Sequence, residues 1–159
     1  GNDSASLYGW QDFGAYNVFS DGPTADPNCP GAGVLGTMSP TAQAFSLFQN
    51  VAVTGETVLT AGVVGDTTDV RAYAATHSGG TALVLFNDNE TTSEQVMVTL
   101  SEKSSSAGVT QIYYDKAIYD QTNQTIPVWA GPTTVNLGAQ TLPFTLTLTP
   151  WSMNVFIIQ

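Results

Sequence analysis

The sequence predicts a mainly β chain: an antiparallel two-layer β-sandwich of about eight strands, preceded by a loop-rich segment with one α-helix. Three features carry that expectation. From about residue 56 the apolar residues recur with period two, as in SEQVMVTL at 93–100 and PFTLTLTP at 143–150. Gly, Asn, Asp and Pro clusters separate these runs with no helical period between them, which describes short strands joined by turns. Upstream, residues 20–40 (SDGPTADPNCPGAGVLGTMSP) hold four of the eight prolines and several glycines, the composition of a long irregular loop.

Taken in order, SLYGWQDFGAY at 6–16 opens with Leu7, Tyr8 and Trp10, a short apolar stretch suited to a buried strand. After the loop, SPTAQAFSLFQNVA places Ser39 to cap and Pro40 in the first turn, and Ala44, Phe45, Phe48, Val51 and Ala52 recur at helical spacing. This predicts a helix over about 40–52 that buries Phe45 and Phe48. Strands are expected near 57–61, 69–76, 80–87, 93–100, 109–115, 132–137, 143–149 and 152–158. In 93–100, Val96, Val98 and Leu100 share one face, with Gln95, Met97 and Thr99 on the other. In 143–150, Phe144, Leu146 and Leu148 oppose Thr145, Thr147 and Thr149 in the same way. One wet face per strand implies antiparallel pairing, whereas ALVLF at 82–86 and VFII at 155–158, apolar on both faces, belong to central or covered strands. The linker-like stretch 54–69 sets the expected boundary, with a helical opening at 1–53 and the sandwich at 54–159.

Composition narrows the function classes. The chain of 159 residues carries 3 Lys and Arg against 13 Asp and Glu, a formal charge of −10. Phosphate backbones and anionic membranes are repelled by such a surface, so nucleic acid is not an expected partner. The longest apolar runs, TALVLF and NVFII, fall far short of the roughly 20 residues that cross a bilayer, so no membrane insertion is expected. Only 10% of residues are charged, and Thr, Ser, Asn, Gln and Gly take the wet positions, a composition common in secreted proteins; an extracellular location is expected. Cys29 is the single cysteine and His77 the single histidine, which removes any internal disulfide, cysteine cluster or His-pair metal site. Cys29 reads as an inert loop thiol and His77, in ATHSGGT, as a hairpin-turn residue. No cofactor is expected.

Most carboxylates, including Asp66, Asp69, Asp88, Glu90, Glu102, Asp115 and Asp120, fall in predicted turns and read as solvated. DTTD at 66–69 and DNE at 88–90 offer oxygen ligands without the spacing of an EF-hand, and no metal site is assigned. GAGVLG at 31–36 lacks the strand and the Lys of a phosphate loop. The aromatic residues are more informative. Tyr8, Trp10, Phe13, Tyr16 and Phe19 crowd together beside Gln11 and Asp12, and aromatic faces next to hydrogen-bonding side chains suit sugar rings; the same rings also suit a core. A second set, Tyr113, Tyr114, Tyr119 and Trp129, reads as core packing with one exposed partner. NDS at 2–4, NET at 89–91 and NQT at 123–125 make Asn2, Asn89 and Asn123 glycosylation acceptors if the source is a secreted eukaryotic protein, Asn89 foremost because its segment reads as an exposed turn.

In sequence these pieces run YGWQDFG, a loop, GVLGTMSPTAQAFSLFQNV, VRAYAATHSGGTALVLFNDNETTSEQVMVTL and LPFTLTLTPWSMNVFIIQ. That order resembles the C-terminal portion of clan A glycoside hydrolases, most closely family 39 and its relatives. The resemblance implies that residues 7–10 are the eighth strand of a (β/α)8 barrel, that 39–52 is its last helix, and that an accessory sandwich follows. It also implies a carbohydrate substrate, and as partner the catalytic barrel portion of the same enzyme. The acid/base and nucleophile of that family lie on barrel strands four and seven; Glu56, Glu90, Glu94 and Glu102 all come later, so no catalytic residue is carried over. Trp10 matches the strand-eight Trp that lines the sugar site, and Tyr8 and Asp12 complete the substrate-binding set that the resemblance suggests. The alternative reading is a self-standing carbohydrate-binding sandwich.

Overall fold

Strand pairing turns the alternating runs into two facing layers. The computed structural model describes residues 38–51, 54–65, 68–101, 106–121 and 130–159. Among them the strands are β1 (Val58–Leu59), β2 (Val70–His77), β3 (Gly80–Asn87), β4 (Glu94–Val98), β5 (Ser106–Tyr114), β6 (Thr133–Thr141), β7 (Phe144–Leu148) and β8 (Ser152–Ile158). Six form one sheet in the order β1-β2-β3-β8-β5-β6, and β4 pairs with β7 in the other. Every pairing is antiparallel.

The alternation explains which side chains meet. Ala74, Leu83, Leu85, Val109, Phe156 and Ile158 of the larger sheet close on Val98, Phe144, Leu146 and Leu148 of the smaller one. Each large side chain so buried contributes about 1.5–3 kcal/mol. Gln95, Met97, Thr145 and Thr147 face water, as their positions in the repeat require. β3 and β8, the two runs apolar on both faces, occupy the middle of the six-stranded sheet, and Ala82, Val84 and Val155 on its second face are buried as well.

Strand ends depart from the periodic pattern where backbone chemistry intervenes. β1 keeps two residues of the expected five, and beyond it Ala61 and Val63 pack on the core without a ladder. β6 extends to Thr141 because it carries a bulge: Val109 pairs with Gly138 and Thr110 with Asn136, leaving Leu137 extra. Gly138 supplies the positive φ of 70° that the bulge needs, and its N–H donates to Asn136 Oδ1 at 2.8 Å. β6 is an edge strand, where such a bulge discourages further pairing. At the β2–β3 hairpin Ser78 and Gly79 both take positive φ, 44° and 82°, the two-residue turn whose twist matches the strands.

One end of the sandwich is tied by buried amides. Asn87, 1% exposed at the end of β3, donates from Nδ2 to the carbonyls of Thr92, Leu148 and Thr149 at 2.9, 3.3 and 3.0 Å. Its Oδ1 accepts from Asn89 N at 3.0 Å. Asn154 on β8 accepts from Gln111 Nε2 at 2.9 Å and donates to Ser152 Oγ at 2.9 Å. Ser152 Oγ in turn donates to the Thr149 carbonyl at 2.7 Å. These bonds satisfy backbone groups where the ladders of both sheets run out.

The chain divides into two units: Leu47–Lys116 with Pro132–Gln159, which holds the sandwich, and the remainder, whose described residues are 38–46, 117–121 and 130–131. In the smaller unit α1 (Pro40–Ser46) starts as expected: Ser39 Oγ accepts from Ala42 N at 3.1 Å, and Pro40 takes the first helical position. The expected helix to residue 52 is not regular throughout. Ser46 Oγ donates back to the Gln43 carbonyl at 2.6 Å, α1 ends there, and Leu47–Asn50 continue as a 3-10 turn. That tighter winding moves the apolar face by one residue, so Leu47 is buried while Phe48 stays 37% exposed and Phe45 half-buried. The expectation of a buried Phe48 is corrected accordingly. A second helix, α2 (Lys116–Gln121), was not expected; its six residues bury Ile118 and carry no readable period.

Candidate functional site

The second face of the six-stranded sheet carries a groove over β2 and β3. Arg71 and Tyr73 stand two apart on β2 and therefore share a face, and the register sets Arg71 opposite Phe86 on β3. Tyr73 and Phe86 are then diagonal neighbours, and their rings meet edge to face with centroids 6.1 Å apart and planes at 88°. Phe48, from the 3-10 turn, and Asp88, just past β3, complete an open groove of about 360 Å³. Arg71 Nε donates to Asp88 Oδ2 at 2.7 Å, and the two side chains are 63% and 38% exposed. Asp88 is fixed from behind, since its backbone N–H donates to the Asp69 carbonyl at 2.8 Å. The groove thus combines apolar ring surface with a neutralised ion pair that keeps free donors and an acceptor oxygen.

Beside it, the loop after β3 is tightly organised around Asn89. Its Oδ1 accepts from Thr91 N at 3.0 Å and Thr92 N at 2.9 Å, and its Nδ2 donates to Asp69 Oδ2 at 3.0 Å. Its carbonyl accepts from Trp151 N at 2.7 Å, holding the β7–β8 turn in which half-exposed Trp151 has a φ of 46°. A left-handed bulky residue is costly, on the order of 1–3 kcal/mol, and persists only where its surroundings over-determine it.

At the opposite end of β2, Glu56 accepts from the Thr76 hydroxyl and, at 3.1 Å, from Ser78 N. The bond from Thr76 foremost, then that from Ser78, and a smaller attraction to His77 hold the carboxyl below the usual glutamate range, against a slight desolvation. Thr76 Oγ1 itself accepts from Thr57 N at 2.8 Å, which pins β1 to β2. His77 ends β2 opposite Gly80, as a hairpin residue.

The sequence-derived sugar contacts Tyr8, Trp10 and Asp12 lie outside the described residues, as do Asn2, Asn123, Cys29, Asp66, Glu102 and Trp129. Asn89 is described; it lies in the loop between β3 and β4, half-buried rather than exposed as its segment suggested, with both ends of its amide engaged. Among the described residues no group of three His, Cys, Asp or Glu side chains comes together as metal ligands would. No helix among them is long and apolar enough to cross a membrane. Sequence reasoning did not single out the groove. Its signal was present in VRAY, where period two puts Arg71 and Tyr73 on the face away from Val70 and Ala72, but the partner strand was needed to add Phe86 and Asp88.

No family model matches the chain, and no curated protein matches it. Solved structures share its fold. A family 30 endoxylanase from Clostridium papyrosolvens C71 superposes with a TM-score of 0.54 at 17% identity, over 77% of this chain and 28% of that one. A family 30 subfamily 8 xylanase from Clostridium acetobutylicum gives 0.58 at 14% identity, over 86% and 32%. A bifunctional glucanase-xylanase from a metagenome library gives 0.53 at 20% identity, over 79% and 24%. This mainly β architecture is therefore one found within glycoside hydrolase structures, and the chain spans about a quarter to a third of their length.

Proposed function

We propose that this chain is the C-terminal part of an extracellular clan A glycoside hydrolase of the family 39 type or a relative, in which the sandwich stabilises a catalytic barrel. The observation that carries the reading is the size relation. More than three quarters of this chain superposes on polysaccharide hydrolases of which it makes up less than a third. The order of sequence motifs supports it independently, with residues 7–10 as the last barrel strand and Tyr8, Trp10 and Asp12 at the sugar site. The charge-poor composition, with 10% of residues charged, supports secretion. In this account the chain hydrolyses nothing alone, because glycoside hydrolysis needs two carboxyls positioned on either side of the scissile bond and those belong to the barrel. The 159-residue chain is expected to be inert toward aryl glycosides, whereas the complete protein that carries it turns them over. Turnover by the chain that survives repurification, and is lost on changing one of its own carboxylates, overturns the reading. The aromatic groove favours the competing reading, a self-standing carbohydrate-binding module, which requires no larger partner.

A further inference from the structure

We infer that the groove formed by Phe48, Arg71, Tyr73, Phe86 and Asp88 binds the ring of a neutral pyranose in a polysaccharide chain. Three properties of the groove carry the inference, and it stands whether or not a barrel accompanies the sandwich. The first is the presentation of Tyr73, which projects from the middle of a regular strand at 57% exposure instead of lying flat on its neighbours. Its ring meets that of Phe86 at nearly a right angle, a contact that biases its orientation before a ligand stacks on it.

The second is the polar end. Arg71 spends Nε on Asp88 Oδ2, which leaves its terminal N–H groups as donors and Asp88 Oδ1 as an acceptor, side by side at the rim. A sugar hydroxyl both donates and accepts, so two adjacent hydroxyls match an adjacent donor and acceptor. An apolar side chain from a protein partner would instead leave that pair unpaired on desolvation.

The third is charge. The pair is neutral within itself on a chain of net charge −10, which disfavours anionic ligands, while Arg71 disfavours a cation beside Asp88. What remains is an uncharged ligand with one C–H face and an equatorial rim of hydroxyls. The open form of the site suits a ring within a chain rather than an enclosed monosaccharide.

The test is calorimetric titration of the chain with xylohexaose and with cellohexaose, with polygalacturonic acid as a charged control. Saturable binding of at least one neutral oligosaccharide is expected, weakened about ten-fold or more by Tyr73→Ala and clearly by the paired change Arg71→Met with Asp88→Asn. Tyr73 is exposed, so melting curves of its variant should match the parent and show that the loss is local. Tyr73→Thr, which keeps a strand-favouring side chain, serves as the second variant. Binding that is unchanged in all three variants overturns the assignment, as does binding of polygalacturonic acid alone or no binding of either neutral probe. A Tyr73→Ala variant whose native mass falls while sugar binding is absent identifies a protein surface as the occupant and also overturns it.

Discussion

Glu56 shows how a single side chain can make a hairpin pH-dependent. Its carboxylate receives the Thr76 hydroxyl and the Ser78 N–H, both of which favour the ionised form, so its pKa falls on folding below the usual glutamate range. A lowered folded pKa means that the stabilisation is present above the unfolded value and is lost as pH drops through the folded one. Glu56→Gln should therefore lower the melting temperature at pH 7 and have little effect once the parent carboxyl is protonated; a difference that grows on acidification would contradict this. Gly80 illustrates a steric limit of another kind. A Cβ built there lies 2.2 Å from the Ile158 carbonyl oxygen, a backbone atom in the paired strand β8. Gly80→Ala should cost about 1–3 kcal/mol by forcing the two central strands apart, measured by denaturant unfolding, and a neutral result would mean that the end of β8 yields freely.

The strands depend on one another most where Asn87 ends β3. Its amide serves carbonyls at Thr92, Leu148 and Thr149, so Asn87→Ala strips partners from segments that carry β4 and β7. A loss of about 2–3 kcal/mol is expected in equilibrium unfolding, with faster amide exchange at the ends of both sheets. A change below about 0.5 kcal/mol would mean that water replaces the amide without loss. None of this was visible in FNDNET, which reads as a turn, because the carbonyls that bury Asn87 come from 61 and 62 residues away. What was legible followed from periodicity. Runs apolar on both faces placed β3 and β8 at the centre, and one-faced alternation in 94–98 and 144–148 placed β4 and β7 over the core. Features set by single side-chain bonds escaped: the switch to 3-10 winding after Ser46, the bulge at Leu137, and a six-residue α2 too short to show a stripe. The groove escaped for a related reason, since a strand pattern reports a face but not which rings a neighbouring strand brings to it.

The sandwich is one layer of six strands against one of two, with a core drawn from both; on the second face of the larger sheet Ala82, Val84 and Val155 are buried while Arg71 and Tyr73 stand exposed. The role proposed for it is that of a stabilising domain within a glycoside hydrolase. The direct measurement is the composition and mass of the native protein isolated through an antibody against the sandwich, determined under native and then denaturing conditions and followed for glycosidase turnover. The account predicts that the chain is recovered with a barrel-sized polypeptide, continuous with it or tightly held, and that turnover follows that species through every fraction. Recovery of the 159-residue chain by itself, without turnover and with no larger partner, would contradict it.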